Sequence, residues 1–248
     1  MLLPGRGTLP VPPMEEDYQM ELQPGIHIVD NVSCNVYLLI EGDELTLIDT
    51  GMQGNASKVV SYIRSIGRDP LRIVRILLTH QHVDHVGGAA ALAALAHPRV
   101  YAHPLDVPAI SGTGPRDVPG GPLGIAFRAL HSRLKPVAVT DEVHENDVIP
   151  VFGEDGGLRV IETPGHTLGQ IAFYLPGRKL LFAGDTYQHS GGQIAPPPRM
   201  LNCDNALALR TLRDLPEKVE IKASLPGHGA PILTGARALL SGAVKVTV

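Results

Sequence analysis

Tryptophan is absent and aromatic residues make up only 4% of the 248-residue chain, so Val, Leu, Ile and Ala must do most of the packing in any core. Hydrophobic residues still reach 44%, enough for a sizeable core, and the length suits one large domain better than two. There are only two cysteines, Cys34 and Cys203, far apart. They set no disulfide framework and fit a reducing compartment. The 21 basic residues stand against 25 acidic ones, net charge −4, and are scattered without a stripe, which argues against nucleic acid as a partner. No apolar stretch is long enough to span a bilayer. The opening "MLLPGRGTLPVPPMEEDY" is broken by prolines and lacks the continuous apolar core of an export signal. These absences predict a soluble cytoplasmic protein that uses neither nucleic acid nor membrane.

What is present is an ordered alternation. Residues 1 to 20 are Pro-rich and acidic and read as an arm lying on the surface or on a partner subunit, a route to a homodimer. Residues 21–248 read as one domain. Its first apolar runs, "GIHIV", "CNVYLLI" and "ELTLID", are strands, the last two joined by a turn at "EGDE". "NASKVVSYIRSIG" has helical spacing at 59, 60, 63 and 66, with Ser57 or Asn55 to cap it and Gly67 to end it. "LRIVRILLTH" is a buried strand, "GGAAALAALAHP" a helix stopped by Pro98, and "RVYAH" a further strand. From 104 to 147 Gly and Pro crowd the chain, and only "IAFRALHSRL" is helical in pattern. That stretch reads as a lid-like excursion. Strands return at "LRVIETPGH" and "QIAFYLPGRKLLFAGD", followed by the helix "DNALALRTLRDL", the strand "VEIKASLPGHG" and a last helix near "TGARALL". "DELTLIDTGMQG" and "RKLLFAGDTYQH" resemble each other, which suggests two related halves and two sheets packed face to face with helices outside.

The chemistry sits at strand ends. "THQHVDHVGG" places His80, His82, Asp84 and His85 where a buried strand stops, followed by Gly87 and Gly88, which let the chain turn tightly into a helix. In extended backbone His80 and His82 point to one side and Gln81 away. Neutral imidazole and carboxylate are ligands that a borderline cation such as Zn²⁺ accepts. Asp84 as a simple helix cap would explain one of these residues and leave the clustered histidines without a purpose. The same construction, an apolar strand and then a Gly-adjacent His or Asp, recurs at "TPGHTLG" (His166), "LLFAGDTY" (Asp185) and "SLPGHGAP" (His228). Any one of these alone would be an ordinary turn.

With these residues the sequence resembles the metallo-β-lactamase fold superfamily of metal-dependent hydrolases. "THQHVDHVGG" is similar to its HxHxDH motif, "TPGHTLG" and "PGHG" to its later histidine motifs, "FAGDT" to its bridging aspartate, and "LTLIDTG" to its early Asp-containing strand. The matches run in family order from 26 to about 235. The resemblance implies an α+β fold, a four-layer αββα sandwich of two mixed sheets with helices outside. It implies a two-metal site on the sandwich edge, holding Zn or else Fe or Mn. His80, His82 and His166 would bind one ion, Asp84, His85 and His228 the other, and Asp185 both. Asp49 would hold a ligand histidine through its other ring nitrogen. The reaction implied is attack by a metal-bridging hydroxide on an ester-type carbonyl of a small molecule, with Asp84 mainly a ligand and also placed to take a proton.

Among the branches, the β-lactamases usually lack a bridging Asp and carry an export signal. The persulfide dioxygenases use one iron, and some chains of the fold serve as metal-free binding modules. Glyoxalase II-type thioesterases share "TPGHT" and "GDT", yet grip glutathione with a basic C-terminal helical region. Here 20 residues follow His228, with Arg237 and Lys245 their only bases. Lactonases set a tyrosine after the bridging Asp. If the chain leaves its strand just after "KLLFAGD" has delivered Asp185, Tyr187, and after it His189, face the substrate, Tyr187 donating to the oxyanion and His189 protonating a leaving alkoxide; the other reading packs the Tyr187 ring against the loop "GGQIAPPPRM" and leaves His189 solvated.

Overall fold

The computed structural model describes residues 20–29, 32–115 and 134–243. The first 19 residues of the expected arm, and nearly all of the helix expected at "IAFRALHSRL", lie outside them. The described residues form two sheets. The first has seven strands in chain order: β1 (Glu21–Gln23), β2 (Ile26–Val29), β3 (Val36–Glu41), β4 (Glu44–Ile48), β5 (Ile73–Leu77), β6 (Arg99–Ala102) and β7 (Asp141–Glu142). It is antiparallel up to β4 and parallel beyond. The second runs β12 (Gln193–Ala195), β11 (Leu180–Ser190), β10 (Ile171–Leu175), β9 (Leu158–Glu162), β8 (Val148–Ile149). A parallel strand, β13 (Ala223–Gly229), pairs with β11.

Period-two patterning builds the layers. Tyr37 and Leu39 of β3, and Ile171, Phe173 and Leu175 of β10, face each other between the sheets. Their neighbours Val36 and Leu38 turn to the other face of the first sheet, under α1 (Ala56–Ser65) and α3 (Ala89–Ala96). Ala172 and Tyr174 turn to the outer face of the second, under α5 (Asn205–Lys218) and α6 (Ala236–Ala243). Three apolar interfaces thus separate four layers, helix–sheet–sheet–helix. Two short helices, α2 (Val83–Val86) and α4 (Val107–Ile110), lie in the connections. No helix among the described residues is long and apolar enough to cross a membrane.

Two local details differ from expectation. Asn55 stands at the N-cap of α1, but its Oδ1 accepts from Met52 N and from Ser33 instead of from the helix. Gly87 and Gly88 have ordinary helical dihedrals. They are glycine because of close approach: a Cβ would meet Gln53 N at 2.4 Å at Gly87, and Thr50 O at 2.4 Å at Gly88. The loop after β4 lies directly on the segment that carries the histidines.

Candidate metal centre

β5 ends at Leu77, and the chain turns outward at Thr79 because Asp49 holds it there. Asp49 follows β4 in the left-handed region, φ 59°, a conformation costly for most side chains and tolerated by Asp. Its Oδ1 accepts from Thr79 N at 2.9 Å, and its Oδ2 from Thr79 Oγ1 and His85 Nδ1, each at 2.8 Å. Since the Thr79 hydroxyl donates to Asp49, it accepts from His80 Nδ1 at 3.0 Å. One carboxylate therefore fixes the tautomers of both histidines and leaves each Nε2 with its lone pair exposed to the cluster. His166 is fixed likewise. Its Nδ1 donates to Asn202 Oδ1 at 3.0 Å, and Asn202 Nδ2 donates to Pro197 O and Asn205 Oδ1, which settles which way the amide faces.

Those lone pairs converge. His80, His82 and His166 offer one triad of ligand atoms, Asp84, His85 and His228 another, and His80, His85 and Asp185 a third that links them; within each, the atoms lie within 4.8 Å of one another. His80 Nε2 and His82 Nδ1 are 3.2 Å apart, and His85 Nε2 and His228 Nε2 3.4 Å. A cation about 2.1 Å from each of four tetrahedral ligands would space them by about 3.4 Å. Asp185 stands between the triads: Oδ2 is 3.5 Å from both His166 Nε2 and His228 Nε2, and Oδ1 is 3.4 Å from His85 Nε2. Gly227 makes room for it, since a Cβ there would sit 2.2 Å from Asp185 Oδ1.

Among the described residues, the buried His166 Nε2 and Asp185 Oδ1 have no hydrogen-bond partner. Buried polar atoms of this kind are costly unless something pairs them, and a metal ion fits both. Burial, reinforced by the surrounding imidazoles, pushes His80 well below the ordinary histidine value. Burial also lowers His166, against the pull of Asp185. Both are thus neutral, as ligands must be. Asp84 and His228 are the partly exposed members, 3.2 Å apart, so the centre opens on their side.

Residues 29–228 match the family model of the metallo-beta-lactamase superfamily. The chain belongs to that superfamily. Among curated relatives, the probable metallo-hydrolase YflN of Bacillus subtilis (strain 168) is 25% identical over 244 residues, spanning 90% of this chain and 91% of the relative. The hydroxyacylglutathione hydrolase of Rhodopseudomonas palustris (strain HaA2) is 32% identical over 162 residues, 64% of this chain but only 52% of that protein. The chain thus spans about half the length of that relative. Of solved structures, a metallo-beta-lactamase family protein from Thermus thermophilus superposes with TM-score 0.70 at 23% identity, covering 91% of this chain and 80% of the other. As a metallo-beta-lactamase superfamily hydrolase, the chain brings its seven candidate ligands into one cluster, with Asp49 behind His85.

Two residues singled out in the sequence are not brought to that cluster. The expectation for Tyr187 assumed that the chain leaves its strand just after Asp185. Instead β11 runs on to Ser190, and Tyr187 falls on the helix-facing side. It is fully buried, and its hydroxyl donates to Ser224 Oγ at 2.5 Å. His189 lies two residues further along, where its Nδ1 donates to Ala230 O at 2.7 Å. The Tyr187 hydroxyl is thus turned into the core, away from the cluster.

Three residues that the sequence did not single out support the cluster. Asp106, buried after β6, accepts from Gln81 N at 2.9 Å, Thr167 Oγ1 at 2.8 Å, and Gln81 Nε2 and Gly169 N at 3.2 Å. It ties the first histidine segment to the loop of His166. The signal for it was there: "RVYAHPLD" is one more apolar strand followed by an acid. Asn35 Nδ2 donates to Pro226 O at 2.9 Å and Gly229 O at 2.7 Å, clamping the turn of His228. Asn202, behind His166, carried no signal that pattern reading uses.

Proposed function

We propose that this hydrolase works with two divalent metal ions, Zn²⁺ or else Fe or Mn, and cleaves an ester-type carbonyl bond, a lactone, ester or thioester, in a small molecule. The observation that carries the reading is Asp185, whose carboxylate lies within 3.5 Å of members of both triads. On this reading His80, His82 and His166 hold one ion, Asp84, His85 and His228 the other, and Asp185 both. Bound there, such ions acidify water and polarise a carbonyl near neutral pH.

The chain's own contribution is placement. Asp49 and Asn202 hold ring protons on the far nitrogens of His85 and His166, so the near ones are available without reorganisation. Asp84 Oδ2 lies at the open side and is the carboxylate oxygen best placed to receive a proton from an attacking water, while Asp185 is almost fully enclosed. The Tyr187 hydroxyl is turned into the core, so the bound ions would supply the stabilisation of an oxyanion.

A hydroxyacylglutathione-type thioesterase is the more specific form of this reading, supported by the partial match to the Rhodopseudomonas palustris protein. The test is a panel of esters, lactones, thioesters, β-lactams and phosphodiesters on metal-loaded protein, with elemental analysis of the same sample. Close to two equivalents of metal and turnover of an ester-type substrate are expected. A single equivalent, unchanged in Asp185→Ala, would sink the two-metal reading, and turnover of β-lactams or phosphodiesters alone would sink the ester reading.

A further inference from the structure

Another cluster of metal-ligating side chains lies outside this centre and shares no residue with it. His103, His144 and Glu162 bring one ligand atom each to within 4.8 Å of one another. His103 follows β6 of the first sheet and is buried. Glu162 is the last residue of β9 in the second sheet and is half-buried. His144 is exposed, in the connection that leaves β7 and crosses to β8. Three elements from two sheets thus converge at one flank of the sandwich.

The geometry points to a further metal site here, for a borderline divalent cation such as Zn²⁺, held by His103, His144 and Glu162 with water completing the coordination. His103 Nε2 lies 3.2 Å from Glu162 Oε1, the spacing of two ligands on one ion, and the imidazoles of His103 and His144 stand edge to face with centroids 5.8 Å apart. The other charged groups in contact favour a cation. Glu145 lies beside Glu162, which accepts from Glu145 N at 3.1 Å, and Asp147 accepts from His144 N at 2.8 Å. Among the described residues the opposing charge is Lys218, 4.0 Å from Glu145 Oε1 and 3.1 Å from the Glu162 carbonyl.

The hydrogen bonds also set the site's strength. Leu105 N donates to His103 Nδ1 at 3.3 Å, so without a cation Nε2 carries the ring proton and donates it to Glu162. A cation on Nε2 displaces that proton, the ring proton moves to Nδ1, and the Leu105 bond is lost. This site is therefore weaker than the main centre, where outer partners already hold the ring protons on the far nitrogens of His80, His85 and His166. Its position gives it a consequence. His103 and His144 bracket residues 104–143, and Glu162 precedes His166 by four residues. A bound ion would staple both ends of that excursion to the strand that leads to a main-centre ligand.

The probe is Zn²⁺ alone, in equilibrium dialysis against the full chain at rising free concentration. Wild-type protein should bind one equivalent more than His144→Ala, the added ion should dissociate before the others, and it should raise Tm in wild type only. His144 is exposed and its substitution should leave the fold and basal activity unchanged. Glu162→Gln, which keeps the size of the side chain, should lose the same equivalent. Zinc-edge anomalous diffraction of crystals grown in excess Zn²⁺ should show a peak between His103 and Glu162. Equal zinc content in all three proteins, or no peak there, would overturn the proposal.

Discussion

The two halves of the molecule reach the metal centre by different means. The first contributes four candidate ligands from one six-residue segment, His80 to His85. The second contributes three from three separate places: His166 in the loop after β9, Asp185 within β11 and His228 near the end of β13. The backbone logic is shared: β4 and β5 run parallel with α1 between them in sequence, and β11 and β13 run parallel with α5 between them. Each of these pairs begins with a strand that delivers a buried aspartate, Asp49 just after β4 and Asp185 within β11. In the first half that aspartate, Asp49, backs a ligand histidine. In the second, Asp185 enters the cluster itself. The bulge at Gly184 accounts for part of this difference, because it breaks the register between β11 and β13 and re-aims the following residue. A local segment can be held by one carboxylate, whereas a set gathered from separate loops and strands depends on packing across the sandwich.

The most severe way to break that comparison is Asp185→Asn. It changes the carboxylate that lies within 3.5 Å of members of both triads, so the expected loss is more than about a hundred-fold in kcat, beyond what supporting residues of metal ligands typically cost, with metal content reduced as well. A variant retaining full metal and near wild-type kcat would show that the two triads do not need the shared carboxylate.

Asp49→Asn attacks the local half. An amide cannot accept all three hydrogen bonds that Asp49 receives, so an NH₂ group must face either Thr79 and His85 or the Thr79 N–H. Metal affinity or kcat should fall about 10- to 100-fold. Asn35→Ala attacks the assembled half at its clamp. It leaves Gly229 O without the Asn35 bond, while Pro226 O keeps its 2.7 Å bond from the Tyr37 hydroxyl, so the damage is partial. A loss of roughly 1–2 kcal/mol in stability is expected, with a smaller drop in metal affinity than for Asp49→Asn. Denaturant melts and chelator competition on the two variants would rank them. The reverse order would mean that the turn of His228, not the Asp49 carboxylate, limits the site.

That contrast also explains what pattern reading reaches. The segment 80–85 is legible because its ligands are close in sequence, and the layering because strands followed by a helix occur twice and the family likeness implies it; β3 and β10 are continuous apolar runs, so their faces could not be read apart in sequence. His166, Asp185 and His228 were legible only as repeats of one construction and through family likeness. Tyr187 was misread because nothing in "GDTYQHS" marks where the strand ends. The strand continues, and Tyr187 falls with Leu181 and Ala183 on its helix-facing side, while the irregularity at Gly184 sets Asp185 apart from them. Asp106 and Asn35 were missed because their partners, Gln81, Thr167, Pro226 and Gly229, are distant in sequence and meet them only in the fold.

Tyr187→Phe turns the misreading into a measurement. Its hydroxyl bonds Ser224 in the core, so its removal leaves the Ser224 Oγ short of a partner and should cost about 1–3 kcal/mol of stability. The kcat on the best substrate should be unchanged. A loss of kcat at constant stability and metal content would restore the tyrosine to the reaction.

The smallest effect concerns the two cysteines, again one in each half. Cys34 is buried beside His85, and burial pushes its thiol up to about 11. At that value only about one thiol in ten thousand is ionised at neutral pH, against a few per cent for an ordinary cysteine, and the thiolate is the reactive form. Cys203 is exposed, in the loop next to Asn202. A thiol reagent should therefore label one site per native chain, at Cys203, and reach Cys34 only on unfolding. Because Cys203 N donates to His166 O at 3.1 Å, a bulky label there should shift metal release from the second half slightly and leave the segment 80–85 untouched. Native labelling of Cys34 at a comparable rate would mean that the first half opens more readily than its dense hydrogen bonding allows.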